Sequence, residues 1–218
     1  MKPTIALFIA DPKCSVQSGN GIMRALGEHY NFKIFSKNEL EDNFFDGVDL
    51  IAVPGGFGDS DSYDNLLKHN ADRVRDFVAK GGHYLGICMG AYWAGSHYFD
   101  ILDGIDCFQY IKQPTADTRR PHAKSIDIIW QGQDLNMFFY DGCAILPTGK
   151  SQTRLDIVAK YANDDPMAVI QGRIGLIGCH PESEQFWYDS YSWLKGKYHN
   201  GAHHALLLEF VNNLMQRT

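Results

Sequence analysis

Cys88, His180 and Glu182 are the side chains of this 218-residue sequence best suited to act on one substrate together. Cys88 stands between two glycines in Gly86-Ile87-Cys88-Met89-Gly90, directly after the apolar run 83–87. A buried strand that ends on a glycine-flanked nucleophile predicts a nucleophile elbow, a sharp strand-to-helix turn that holds the reactive group clear of the backbone. A free thiol has a pKa near about 8.5, so only a few per cent is thiolate at neutral pH and a base is needed. The positive end of the following helix favours the thiolate. Far downstream, Cys179-His180-Pro181-Glu182 supplies the base and an acid. His180 and Glu182 are two apart, so in an extended segment their side chains point the same way, and Pro181 stiffens the backbone between them. The set reads as a thiol nucleophile, its proton acceptor and an orienting carboxylate.

An amide attacked by a thiolate passes through an oxyanion that needs hydrogen-bond donors. The backbone N–H of Met89, next to the nucleophile, is one. The second is expected from the turn Pro54-Gly55-Gly56, where glycines leave the backbone open to a ligand. In a parallel sheet both turns fall at the carboxyl ends of strands, where ligands bind. Competing readings remain for several residues. Cys88 as a buried apolar side chain, His180 as a structural histidine and Glu184 in place of Glu182 are the plain alternatives. Asp11, in an early loop, is the other acid that would suit a thiol site. Cys179 alternates to the opposite face from His180 and reads as structural. His199, His203 and His204 have helical spacing that suits a metal, but with no carboxylate or thiol beside them they read as surface histidines.

Elements must bring these groups together across ninety-odd residues. Strands are predicted at 4–9, 32–35, 48–53 and 83–87, with helices at 22–30 and 63–79 between them and a turn-rich loop at 11–21. Strands alternating with helices imply a parallel sheet covered on both faces. Beyond about residue 100 the runs 126–130, 138–146, 154–161, 167–171 and 174–178 have few helices between them. They predict an antiparallel extension whose last strand delivers His180, with a tight turn at Gln171-Gly172-Arg173. The aromatic stretch 185–199 suits a lid, a partner surface or, more simply, core, and 202–215 is expected to be a closing helix. No repeat or linker interrupts the chain, so one domain over 1–218 is expected.

Composition narrows the function. Apolar residues make up 44% and charged residues 21%, as in an ordinary globular protein. A net charge of −6 gives no reason to expect nucleic acid or an anionic membrane as partner. The apolar run at 5–10 is too short for a secretory core, and nothing approaches the roughly 20 apolar residues that span a bilayer. Five cysteines, Cys14, Cys88, Cys107, Cys143 and Cys179, are an odd set without metal or disulfide spacing, so a reducing cytoplasm is expected and no metal or other cofactor is implied.

Taken together, Pro54-Gly55-Gly56, Gly86-Ile87-Cys88-Met89-Gly90 and His180-Pro181-Glu182 resemble the class I glutamine amidotransferase-like superfamily. The longer string from Gly86 to Ala94 (GICMGAYWA), the stretch from Leu155 to Glu182 and, more weakly, Tyr140-Asp141-Gly142 are similar to the amidotransferase-like N-terminal region of biotin–protein ligases. The resemblance implies a flavodoxin-like α/β fold, a triad of Cys88, His180 and Glu182, and oxyanion donors at Gly56 and Met89. It also implies attack on a small-molecule amide, with Gly55, Ala91 and Tyr92 near the substrate and a synthetase or ligase as protein partner. Ala91-Tyr92 stand where the superfamily commonly has a polar His-Gln pair that helps to hold glutamine, so the substrate amide is left unassigned. The Gly-Arg-Gly-Arg signature of a ligase catalytic domain is not in the sequence, and biotin ligation by this chain alone is not expected. The alternative to an enzyme is a regulatory or binding module that keeps the fold without turnover.

Overall fold

Strands β1 (Thr4–Phe8), β3 (Leu50–Val53), β4 (His83–Ile87) and β11 (Ile174–Ile177) form the inner part of the sheet, and nearly every residue in them is buried. Continuous burial is what a strand covered on both faces requires, and these runs are accordingly apolar rather than alternating. The computed structural model describes residues 2–10, 16–38, 40–56 and 66–218. Among these, one nine-stranded sheet has the order β2-β1-β3-β4-β11-β10-β9-β6-β7, with β2 (Asn31–Phe35), β6 (Lys124–Trp130), β7 (Gln133–Phe139), β9 (Leu155–Tyr161) and β10 (Pro166–Gln171) completing it. From β2 to β11 neighbours are parallel, and from β11 to β7 they are antiparallel. In the antiparallel half the burial alternates along β6 and β9, the signature of strands with one wet face. A second, two-stranded antiparallel sheet pairs β5 (Ile105–Gln109) with β8 (Cys143–Pro147).

Side chains alternate across the parallel strands, so each face builds its own core. Ile5, Leu7, Leu85 and Ile87 pack under helices α1 (Val16–Leu26) and α5 (Ala202–Met215). Ala6, Phe8, Ile51 and Val53 pack under α2 (Ala71–Ala79) and α3 (Met89–Ala94). A third, aromatic cluster joins Phe138 at the end of β7 to Trp187 and Tyr188 of α4 (Gln185–Asp189) and to Leu194. The 185–199 stretch thus contributes to the core, as its plainer reading held.

Several expectations need correction. Helix α1 begins at Val16, so Ser18, Gly19, Asn20 and Gly21, read as loop formers, lie inside it. Its glycines serve close approach: a Cβ on Gly21 would lie 2.1 Å from the Glu182 carbonyl oxygen. The run 138–146 is two strands, not one, parting at Tyr140–Gly142 because the chain there leaves the main sheet for the small one; Gly142 presses on the Gly178 carbonyl, 2.1 Å from where its Cβ would be. Strand β5 was not foreseen. The start of the predicted 63–79 helix, at 63–65, lies outside the described residues; from Lys68 a 3-10 turn leads into α2 at Ala71. No described helix is long and apolar enough to cross a membrane.

Candidate active site

Strand pairing brings Cys88 and His180 together. β4 and β11 are parallel neighbours in register Ile177↔Ile87, and the Cys88 N–H donates to the Ile177 carbonyl at 2.8 Å. Both strands therefore end at the same level. Cys88 follows one directly and His180 comes three residues after the other, where its N–H donates to the Phe138 carbonyl at 3.0 Å. Cys88 has φ +49° and ψ −102°, a conformation costly for a residue with a Cβ. Its neighbours make the turn feasible, because a Cβ at Gly86 would lie 2.4 Å from the Gly90 carbonyl and one at Gly90 only 1.9 Å from that of Val53. Cys88 is 7% exposed and His180 5%.

Glu182 is fully buried, and His180 Nδ1 lies 2.9 Å from its Oε1. Burial alone would lower the pKa of the imidazole, but the Glu182 carboxylate and the Cys88 sulfur, each as a charge and as a hydrogen-bond partner, outweigh it and push the value up to about 10. With Nδ1 committed to Glu182, the other nitrogen remains for the thiol. Glu184 is engaged elsewhere: its Oε1 lies 2.9 Å from Arg24 Nε of α1, a contact of charges rather than an aligned hydrogen bond. Asp11 and Cys14 lie outside the described residues. Cys179 is fully buried, and burial pushes its thiol well up. Cys143 is raised by its hydrogen bond with Cys107 and by burial.

Ser18 is the side chain that sequence reasoning missed. Its hydroxyl donates to the same Glu182 Oε1 at 2.6 Å and accepts the Gly55 N–H at 2.9 Å. One buried hydroxyl thereby ties the carboxylate to the glycine turn. The sequence signal was available, a serine two residues into a glycine-rich helix start, but the same residue types are the ordinary vocabulary of turns.

Beside His180 lies a cavity of about 200 Å³, which Ser18, Gly55 and Gly56 also line. Met89 opens α3 and is buried. Cys88 does not itself line the cavity and adjoins it through His180. Ala91 is fully buried, and the Tyr92 hydroxyl is turned to the Asp141 carbonyl at 3.2 Å, so the structure does not bring these two to the cavity.

The three C-terminal histidines are not surface residues. His203 is buried and stacks on His199 with ring centroids 4.0 Å apart, while His199 Nε2 and His204 Nε2 both reach the Ser183 carbonyl, at 2.9 and 3.2 Å. A carbonyl only accepts, and His199 Nδ1 receives the His203 N–H at 3.2 Å, so His199 is neutral. Burial lowers His199 to about 4 and His203 to about 3. Below pH 6.5 the unfolded chain therefore takes up protons that the folded one refuses, and stability falls as the pH drops towards those values. Between pH 6.5 and 5 a single such group costs at most about 2 kcal/mol, less for the half-buried His199. Urea midpoints measured across that interval are expected to fall, and to fall less steeply in His203→Leu; parallel slopes would refute the assignment. Among the described residues no group of three or more His, Cys, Asp or Glu is placed to hold a metal ion.

Comparison with known proteins agrees with this architecture. The family described as biotin–protein ligase, N terminal, matches residues 11–102. The biotin–protein ligase of Schizosaccharomyces pombe is 27% identical over 164 residues, covering 61% of this chain and 25% of that protein. The PurQ subunit of phosphoribosylformylglycinamidine synthase from Bradyrhizobium diazoefficiens is 46% identical over 52 residues, 20% of this chain and 21% of the relative. These matches thus span a quarter or less of the relatives' own lengths. A glutamine amidotransferase structure from Thermotoga maritima superposes with a TM-score of 0.67 at 13% identity, covering 99% of both chains. At that identity the likeness speaks for the fold. The chain has a class I glutamine amidotransferase-like fold related to the N-terminal domain of biotin–protein ligases.

Proposed function

We propose that this protein is a cysteine-dependent amide hydrolase of the glutamine amidotransferase-like kind, with Cys88 as nucleophile, His180 as acid and base, and Glu182 as the group that orients and charges His180. The observation that supports this most is the pairing of β4 with β11, which ends both strands level, together with a His180 imidazole that is hydrogen-bonded to a buried carboxylate and raised in part by Cys88. An imidazole raised to about 10 keeps its proton at pH 7. In this reading Cys88 Sγ forms a bond to the amide carbon and the carbonyl π pair moves onto oxygen, facing the backbone N–H groups of Met89 and Gly56. The pair returns, the C–N bond breaks, and His180 gives its proton to the departing nitrogen. An acyl thioester remains on Cys88. His180, now neutral, takes a proton from water as it attacks, and the carboxylic acid leaves with the thiolate restored.

Selective chemistry at Cys88 tests the reading. Iodoacetamide is expected to modify Cys88 faster than Cys107, Cys143 or Cys179, read by peptide mass spectrometry, and Cys88→Ser is expected to abolish ammonia release from amides. Equal labelling of the four thiols would end the proposal. Ser18 acts in it as a positioning residue. Ser18→Ala removes one of the two described donors to Glu182 and the acceptor of the Gly55 N–H, at a cost of about 1–3 kcal/mol in urea unfolding. The carboxylate, less satisfied, holds the imidazolium harder, so the His180 titration followed by NMR moves up; a downward or absent shift contradicts this role.

The alternative, a binding module without turnover, draws on the chain's relation to one domain of a larger ligase. The PurQ relatives are subunits of a synthase, and a synthetase that takes up ammonia is the partner that the hydrolase reading proposes. Full biological activity of a folded Cys88→Ala variant would favour the module.

A further inference from the structure

The cavity beside His180 has a wall that the chemistry above leaves unused. Five rings line it: Phe138, Tyr140, Phe186, Trp187 and Tyr191. They continue from the imidazole outwards. Trp187 and Phe138 stand edge-on to His180 with centroids 5.4 and 5.9 Å away, Phe138 meets Trp187 at 5.2 Å, and Trp187 meets Phe186 at 6.3 Å. Phe186 and Tyr140 are 44% and 38% exposed, so two large rings at this cavity are spent on solvent rather than on the core.

Charge and size restrict the guest. Among the described lining residues His180 is the side chain that carries charge at neutral pH, and that charge is positive. An ammonium group, which rings otherwise attract, meets like charge here. A carboxylate finds the same imidazole already paired with Glu182. The two serine hydroxyls of the lining already donate within the protein, Ser18 to Glu182 and Ser190 to the Phe186 carbonyl at 2.7 Å. The zwitterionic end of an amino acid would thus trade water largely for rings and engaged hydroxyls, against which stand the Gln17 amide, the tyrosine hydroxyls and the unpartnered Trp187 indole N–H. An apolar cavity of about 150 Å³ is known to take up benzene, so about 200 Å³ suits one ring on a short chain. Its inner end, at His180 and the Gly55–Gly56 turn, is where the proposed reaction needs the carbonyl.

We propose that this cavity binds the substituent of an uncharged carboxamide bearing a single aryl ring, in preference to an amino-acid amide. The inference rests on the reading of Cys88 as nucleophile and gives that site its substrate class. A matched pair tests it: 3-phenylpropanamide and L-glutamine share a two-carbon chain ending in a carboxamide and differ in carrying a phenyl ring or a charged amino-acid end. Dissociation constants for both are measured on the whole chain by ligand-observed NMR. The expected result is at least tenfold tighter binding of 3-phenylpropanamide, with Phe186→Ala, a solvent-facing change that spares the core, removing at least threefold of that advantage. Ile34→Ala, an exposed side chain on the edge strand β2, is expected to change neither constant. Equal affinities, tighter glutamine, binding of neither amide, or an advantage untouched by Phe186→Ala would each overturn the inference. Binding is read here without turnover, whereas the nucleophile reading stands or falls on alkylation of Cys88, so the two can fail separately.

Discussion

His180→Ala is expected to slow alkylation of Cys88 by iodoacetamide at pH 7 by up to about 30-fold, and to reduce amide hydrolysis far more. A lone thiol is only about 3% ionised at pH 7, so a partner that keeps the proton on its own ring gains at most about that reciprocal in reactivity. Hydrolysis also needs the proton delivered to a poor leaving group, and general acid–base assistance of this kind is worth about 10²–10⁴. Removing the imidazole also leaves Glu182 buried with Ser18 as its remaining described donor, a cost of about 3–5 kcal/mol, so the alanine variant risks unfolding. His180→Gln retains a donor within reach of the carboxylate and keeps the test valid. A folded His180→Gln protein whose Cys88 reacts at the wild-type rate would sink the pair.

Gly90→Ala carries the largest expected loss of stability. The added methyl would stand 1.9 Å from the Val53 carbonyl oxygen, 2.7 Å from its carbon and 2.9 Å from the Val53 Cβ. The two nearest are backbone atoms of β3, which is hydrogen-bonded to β1 on one side and β4 on the other and has nowhere to retreat. Overpacking against movable side chains costs about 1–3 kcal/mol; against a pinned strand the cost should exceed that, lowering the melting temperature by about 10 °C or more. Gly149→Ala, where a Cβ meets nothing within 4 Å, is the matched control and should melt as the wild type does. Similar melting of the two variants would show that α3 is not seated on β3 as described.

What could be read from the sequence follows from how local each signal was. The runs that became β1, β4 and β11 are apolar apart from Thr4 and His83 at their starts, and the 202–215 helix matches α5 residue for residue, because burial on both faces or on one stripe writes itself into the pattern. The start of α1 did not, since Ser18, Gly19 and Gly21 serve tertiary contacts that single-residue tendencies cannot express. The break at Tyr140–Gly142 was hidden for the same reason, an approach to Gly178 made by residues distant in sequence. At the candidate site, the spacing of Cys88, His180 and Glu182 was legible. The carboxylate's second partner, Ser18, is 164 positions away from it and was not. Three histidines looked peripheral because helical periodicity alone does not reveal that His199, with Tyr188 and Tyr198 beside it, packs against His203 and His204.

Synthesis runs from the amino end, and β11 is the strand that joins the parallel and antiparallel halves of the sheet. A ribosome-bound chain lacking it would hold β4 with one edge bare and its cysteine without an imidazole, whatever else had already folded. Maturation of this centre therefore waits on the synthesis of β11, and nascent chains stalled before Ile174 should show an open strand margin, a natural target for chaperones.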